Sequence, residues 1–184
     1  MQYYSTNKQS PLADLEEVVI KSLASDKGLY MPESIPVIGK NVIAKMKDMS
    51  FQEIGDIVAQ AFFGKDMDSQ ALRNIVYDTL SFDTPVVHVN DNIYSLELFH
   101  GPTLAFKDVG ARFMARLSSY FILKKGLDRE VNVLVATSGD TGGAVANGFL
   151  GVQGINVFVL FPKGKVSPIQ ECQFTTLEIG RAHV

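Results

Sequence analysis

The sequence has 184 residues, of which 46% are hydrophobic and 20% are charged, a composition typical of a globular protein long enough to bury a core. Its net charge of −3 provides no basic surface for nucleic acid, no apolar run reaches the roughly 18 residues that span a bilayer, and residues 1–10 lack the features of a signal peptide. A single cysteine, Cys172, excludes an internal disulfide. We therefore expect a cytoplasmic protein whose partner is a small molecule rather than a nucleic acid or a membrane.

Apolar residues recur at helical spacing through the first part of the chain. Ser10, which is followed by proline, predicts the start of a first helix over residues 12–23. Ser50, with a glutamate three residues later, has the spacing of a capping box at the start of a second helix. Asp68 is placed to cap a third helix. These signals predict a small helical domain over residues 1–81.

After residue 84 the pattern changes to short apolar runs that alternate with helical stretches. The predicted segments are strands at residues 86–89 and 93–98, a helix at 108–124, a strand at 131–136, a helix of small residues that ends near 150, and a strand at 157–161. Buried runs that alternate with helices favour an α/β fold with a parallel sheet covered on both faces. Ligands of such sheets bind beyond the carboxyl ends of the strands. A glycine-rich turn at residues 137–143 lies at such an end.

The segment from Glu97 to Asp108 places Lys107 among apolar residues, where a Gly-Pro turn gives way to the long helix. Apolar burial disfavours the ammonium form of a lysine, and the neutral amine it favours can react with a carbonyl group. The alternative is a lysine whose stem packs on Phe106 while its ammonium group reaches water near Asp108. The residues alone leave both interpretations open.

The glycine-rich turn is a second candidate site. Its glycines let the backbone approach a ligand closely, and the helix that follows directs N–H groups and a positive dipole end at an anion such as an amino-acid carboxylate. Asp140 would repel an anion unless its side chain points away, and its alternative role is to cap the helix by accepting from the N–H groups of residues 141–143. The candidate substrate-binding residues are Thr137, Ser138, Gly139, Asp140, Thr141 and Gly142.

Basic residues form the weaker candidates. Lys163 and Lys165 lie in a turn after the last buried strand, where they either contact a phosphate or belong to a solvated loop. Arg112 and Arg116 are one helical turn apart and share a face, open either to a phosphate or to surface pairing. The histidines and Cys172 show no metal-ligand spacing, so we expect no metal site.

Three stretches in this order resemble the threonine synthases, a family of pyridoxal-phosphate enzymes with the tryptophan-synthase β-like fold (fold type II). The most specific is Glu-Leu-Phe-His-Gly-Pro-Thr-Leu-Ala-Phe-Lys-Asp at residues 97–108, which is similar to the cofactor-attachment signature of the family. Thr-Ser-Gly-Asp-Thr-Gly at residues 137–142 resembles the loop that receives the substrate α-carboxylate. Phe-Pro-Lys-Gly-Lys-Val-Ser-Pro-Ile-Gln at residues 161–170 resembles the segment that follows, and the helical residues 1–81 resemble the extra N-terminal domain of the longer members.

The resemblance implies that Lys107 attaches pyridoxal phosphate and then acts as general acid and base, while Phe106 packs against the cofactor ring. It also implies the conversion of O-phospho-L-homoserine and water to L-threonine and phosphate, the last step of threonine biosynthesis. Asp140 stands where related dehydratases usually carry asparagine, which favours a threonine synthase. A serine/threonine dehydratase-like lyase and a noncatalytic binding module are the two alternatives.

The resemblance ends near residue 177, and family members are typically more than twice this long. We therefore expect a helical domain at residues 1–81, the start of a catalytic α/β domain at residues 82–177, and a non-native tail at residues 178–184. The groups that contact the cofactor phosphate and the pyridine nitrogen would lie in the missing half. We accordingly expect this chain alone to be an inactive fragment of an active enzyme.

Overall fold

The computed structural model describes residues 1–126 and 130–177. The tail expected at residues 178–184 therefore lies outside the described residues. The chain divides into two compact units, Met1–Ser81 and Phe82–Val184.

The first unit combines helices with a short pair of strands. In chain order its elements are β1 Tyr3–Ser5, α1 Leu15–Lys21, β2 Tyr30–Pro32, α2 Lys40–Ile43, a turn of 3-10 helix at Met46–Asp48, α3 Phe51–Phe63 and α4 Ser69–Thr79. Strands β1 and β2 pair in antiparallel fashion. Helix α4 packs against α3 and buries the side chains of Leu72, Ile75 and Val76.

Side-chain caps explain where α3 and α4 begin. The hydroxyl oxygen of Ser50 accepts from the N–H of Glu53 at 3.2 Å, and the Glu53 carboxylate accepts from the N–H of Ser50 at 2.7 Å. This reciprocal pair is a capping box. At the start of α4, the Asp68 carboxylate accepts from the N–H of Ala71 at 2.8 Å. Both helix starts predicted from the sequence are confirmed.

The start of the first helix predicted at Ser10 is wrong. Helix α1 begins further along the chain, because the Asp14 carboxylate accepts from the N–H of Glu17 at 2.8 Å and caps the helix there. The residues before the cap are held away from helical geometry, since Ala13 exchanges two backbone hydrogen bonds of 2.9 Å with Tyr3. A long-range backbone bridge thus overrides the local helix signal.

The second unit alternates strands and helices. Its elements are β3 Val86–Asn90, β4 Ile93–Leu96, α5 Lys107–Lys124, β5 Val131–Ala136, α6 Asp140–Phe149, β6 Ile155–Leu160 and α7 Pro168–Thr175. Strands β3 and β4 form an antiparallel hairpin. Across the described ranges of the chain, no helix combines the length and the apolar character needed to cross a membrane.

The two buried runs form a parallel pair of strands. The register runs from Val131 opposite Ile155 to Ala136 opposite Leu160, and α6 provides the crossover connection between them. Because parallel neighbours require such a crossover, the observed order β5, α6, β6 confirms the predicted α/β fold.

The core of this unit lies on one face of the β5–β6 pair. Helices α5 and α6 both pack there, and the central buried side chains are Ala115, Ile122, Val135, Phe149 and Val157. A satellite cluster joins α6 to α7 through Ala146, Val166 and Phe174.

The opposite face of the β5–β6 pair is open in the part of the chain that the structure describes. Leu134 is 70% exposed and Leu160 is 44% exposed on that face. The prediction of a sheet covered on both faces is therefore wrong for these residues. The reason is that both helices flanking β5 in the sequence pack on the side of Val135.

Candidate active site

Lys107 lies at the end of a tight turn, residues 101–108, which we call the lysine turn. The N–H of Leu104 donates to the carbonyl of Gly101 at 3.0 Å, and Leu104 has a φ of 57°, in the left-handed region that residues with a side chain rarely occupy. The chain therefore reverses sharply before α5. Lys107 is the first residue of that helix.

Asp108 closes the lysine turn from within. Its side chain is 1% exposed, and its two carboxylate oxygens accept from the N–H of Thr103 at 2.9 Å and from the hydroxyl of Thr103 at 2.7 Å. A Cβ on Gly101 would lie 2.6 Å from the Asp108 carboxylate. A buried carboxylate is tolerated only when its oxygens accept hydrogen bonds. Thr103 supplies those bonds, and the shape of the turn depends on them.

Lys107 is partly buried, and its Nζ lies 4.7 Å from the centroid of the Phe106 ring. This contact is a cation–π interaction, and Phe106 itself is 62% exposed. The structure therefore places the Lys107 ammonium group against Phe106, the ring named in the second sequence interpretation, rather than in a fully apolar pocket. That interpretation placed the ammonium group in water near Asp108, but the Asp108 carboxylate is buried against Thr103.

The loop at residues 137–142, which we call the glycine loop, joins the carboxyl end of β5 to α6. The Thr137 hydroxyl oxygen accepts from the N–H of Gly139 at 3.1 Å and from the N–H of Gly142 at 3.0 Å. Its side chain therefore caps the first turn of α6. Ser138, Asp140 and Thr141 are exposed on the loop.

Asp140 does not cap α6, contrary to one sequence interpretation. Thr137 holds the N–H of Gly142, and the Asp140 carboxylate instead accepts from the side-chain amide of Gln170 in α7. The amide of Gln170 is itself held by Ser167, whose hydroxyl donates to its Oε1 at 3.0 Å. The aspartate charge is thus engaged by the next helix.

The weaker candidates lie apart from a built site. Lys163 and Lys165 are exposed in the turn between β6 and α7. Arg116 donates to the carbonyls of Gly148 at 3.1 Å and Arg112 at 3.3 Å. Arg116 therefore joins the end of α6 to α5, which is a packing role.

Two residues near the site were not among the candidates predicted from the sequence. Gln173 of α7 donates through its Nε2 to the carbonyl of Thr103 in the lysine turn at 3.1 Å, across 70 positions of sequence. Gln170 contacts the glycine loop through Asp140. The three-residue spacing of the two glutamines on one helix was the available clue, because it places both on one face.

The fold and the site define the class: an α/β protein with a lysine at a helix start and a glycine-rich loop at the carboxyl end of a parallel strand. The carboxyl ends of parallel strands are where ligands of such folds bind. Residues 2–80 match the family described as threonine synthase N terminus. The chain is 40% identical over 177 residues to the threonine synthase of Haemophilus influenzae, covering 96% of this chain and 40% of that protein. It is 37% identical over 177 residues to the threonine synthase of Escherichia coli, with the same coverage.

Solved structures agree with the sequence matches. The crystal structure of pyridoxal-phosphate-bound threonine synthase from Brucella melitensis superposes with a TM-score of 0.89 at 34% identity, covering 97% of this chain and 40% of that one. Threonine synthase from yeast gives a TM-score of 0.88 at 35% identity, covering 97% and 38%. By sequence and by fold, the chain is similar to the first part of the threonine synthases. It spans about 40% of the length of the curated relatives it matches.

Proposed function

We propose that this chain provides the lysine and the substrate loop of a threonine synthase, which converts O-phospho-L-homoserine and water to L-threonine and phosphate. The observation that carries the proposal is the position of Lys107, at the start of α5 and on the face of Phe106. The relatedness to threonine synthases supports the assignment. In this proposal residues 1–81 form the helical N-terminal domain and residues 82–177 begin a fold type II catalytic domain.

The donor set of the lysine turn fits pyridoxal phosphate. The cofactor's aldehyde requires a primary amine, and Lys107 offers one whose neighbouring carboxylate, Asp108, is engaged by Thr103 rather than by the amine. Phe106 offers an exposed aromatic face for the cofactor ring. When bound, the cofactor supplies an electron sink for negative charge that develops on the substrate carbons.

The residues of this chain have separate tasks in the proposed reaction. Lys107 holds the cofactor, then moves protons at the α- and β-carbons of the substrate as general acid and base. The glycine loop orients the α-carboxylate through the N–H groups and hydroxyls near Ser138 and Thr141. Asp140, held by Gln170, is kept from turning its charge onto that carboxylate. Lys163 and Lys165 are proposed as further contacts for the substrate phosphate.

The proposed location is the cytoplasm. Its support is the single cysteine, Cys172, which is exposed and free. A free thiol is the ordinary state of cysteine in a reducing compartment.

Borohydride reduction in the presence of pyridoxal phosphate, followed by peptide mapping, tests the role of Lys107. The internal control is Lys124, which lies at the other end of α5 with its Nζ 5.7 Å from the Phe121 ring centroid. We expect labelling of Lys107 to exceed that of Lys124 by about tenfold. Equal labelling of the two lysines would refute the proposed role.

The reaction itself is tested by joining residues 1–177 to the part of the Haemophilus influenzae threonine synthase beyond the matched region. We expect this chimera to release phosphate from O-phospho-L-homoserine and Lys107→Gln to abolish the release. Deamination of L-threonine as the main reaction would favour the dehydratase alternative. Phosphate release that survives Lys107→Gln would contradict the proposal.

A further inference from the structure

Helix α7 contacts both parts of the candidate active site through two glutamines that lie almost one turn apart. Gln173 contacts the lysine turn and Gln170 contacts the glycine loop. A helix holds side chains three residues apart at a nearly fixed separation. Helix α7 can therefore fix the position of the glycine loop relative to the lysine turn.

Gln173 lies between the lysine turn and the start of α6. Its Nε2 donates to the carbonyl of Thr103 at 3.1 Å, and Thr103 is the residue that binds the buried carboxylate of Asp108. On the other side, a Cβ added to Gly143 would lie 2.7 Å from the Oε1 of Gln173. Only a glycine at that position of α6 leaves room for the amide group.

Gln170 is fixed by a comparable set of contacts. Its Nε2 donates to the Asp140 carboxylate, and its Oε1 accepts from the hydroxyl of Ser167 at 3.0 Å. A Cβ on Gly139 would lie 3.1 Å from the Nε2. The amide is thus bound at both ends, and the close glycine leaves it little room to rotate.

We propose that Gln170 and Gln173 are positioning residues, which hold the glycine loop and the lysine turn in the relative geometry that the reaction of Lys107 requires. The inference rests on the proposed function. Neither glutamine is assigned contact with substrate or cofactor. Gln173 acts on Lys107 through Thr103, and Gln170 acts on the glycine loop through Asp140.

The test measures the rate of borohydride-trapped labelling of Lys107 as a function of pyridoxal phosphate concentration in the 184-residue chain. Gln173→Glu keeps the shape of the side chain but, being ionised at neutral pH, has no donor for the Thr103 carbonyl. Gln173→Met removes the hydrogen bond to Thr103 without adding charge. Gln153→Met is the matched control, because Gln153 is exposed and lies outside α7.

We expect both Gln173 variants to lower the limiting rate of Lys107 labelling by about tenfold, with the half-saturating cofactor concentration and the labelling of exposed Lys124 unchanged. Circular dichroism identifies any variant that fails to fold. If one Gln173 variant does not fold, the labelling rate of the other tests the positioning role. A wild-type rate in a folded Gln173 variant would overturn the positioning role and leave the proposed function intact. Absence of preferential Lys107 labelling in the wild-type chain would overturn both proposals.

Discussion

A Cβ added to Gly142 would lie 2.0 Å from Cγ2 of Thr137. The hydroxyl of that threonine accepts from the N–H of Gly142 at 3.0 Å. The side chain of Thr137 therefore reaches the first turn of α6 only because residue 142 has no side chain of its own. The two residues together determine how the glycine loop enters the helix.

Gly142→Ala should destabilise the second unit. The new methyl group would overlap with Thr137 and force the cap away from α6, and overpacking of this kind costs about 1–3 kcal/mol. Urea unfolding followed by circular dichroism, fitted with one transition for each compact unit, measures the change.

Gly110→Ala is the matched control for that substitution. Gly110 lies within α5, and a Cβ there would meet nothing within 4 Å. Replacing a glycine in the interior of a helix by alanine stabilises it by about 0.8–1 kcal/mol. If Gly142→Ala and Gly110→Ala shifted the transition in the same direction, the close approach to Thr137 would have no energetic role.

Local signals account for the parts of the fold that the sequence predicted. The capping box at Ser50 and the cap at Asp68 each join residues three positions apart. Such contacts can be predicted from a short stretch of sequence. The apolar runs of β5 and β6 were identified for the same reason. The Gly-Pro turn followed by a helical pattern also placed Lys107 at the start of a helix, where α5 begins.

Long-range contacts account for the parts of the fold and of the candidate site that the sequence did not predict. The bridge between Tyr3 and Ala13 explains why α1 does not begin at Ser10. No short stretch of sequence indicates that these two residues pair. The bond from Gln173 to Thr103 spans 70 positions. Alternation in β5 left Leu134 on an open face, and only the packed positions of α5 and α6 reveal which face is covered.

Asp26 should make the first unit sensitive to acid. Its carboxylate accepts from the hydroxyl of Ser5 at 2.6 Å and from the N–H groups of Gln9 at 2.9 Å and Gly28 at 3.0 Å. The Ser5 bond is the main reason that the pKa of Asp26 lies well below its usual range, and the two N–H groups lower it further. A depressed folded-state pKa contributes stability above the unfolded value of about 3.9 and loses it as the pH falls through the folded value.

We therefore expect Asp26→Asn to melt at a lower temperature than the wild-type chain at neutral pH. The difference should begin to narrow below about pH 4, where the wild-type carboxylate starts to lose its advantage. Thermal melts across the acid range measure this difference in melting temperature. Ser5→Ala is a second variant, which removes the hydrogen bond that is the main cause of the lowered pKa of Asp26. A gap between wild type and Asp26→Asn that stayed constant through the acid range would show that the ionised carboxylate is not the stabilising form.

Tyr3 should make the stability of the first unit depend on pH in the alkaline range. Its hydroxyl is buried without a hydrogen-bond partner in the part of the chain that the structure describes. Burial, and then the charge of Asp66, raises the pKa of Tyr3 to about 12. Because the folded value lies above the unfolded value of about 10, the associated stability is present below that pH and is lost as the pH rises toward 12.

Tyr3→Phe should be neutral or stabilising by up to about 1 kcal/mol at neutral pH, because it removes an unsatisfied buried hydroxyl. It should also reduce the loss of stability in alkali. Subtracting the phenolate absorbance titration of the variant from that of the wild type isolates Tyr3, with an expected midpoint near 12. A midpoint near 10 would mean that the ring is not buried in solution.

Asp108 should be the most sensitive position of the lysine turn. Asp108→Ala leaves the N–H and the hydroxyl of Thr103 without their acceptor in a buried site, which costs about 2–3 kcal/mol of unfolding free energy. Thr103→Val removes only the hydroxyl bond and should cost about 1 kcal/mol.

Asp140→Ala is the control for the Asp108 substitution, since it removes an exposed carboxylate that also accepts a side-chain hydrogen bond. Its cost should stay below about 1 kcal/mol, because water replaces the lost bond to Gln170. Urea unfolding of the three variants should therefore rank Asp108→Ala as the least stable. Equal midpoints for Asp108→Ala and Asp140→Ala would mean that burial of the Asp108 carboxylate does not hold the lysine turn together.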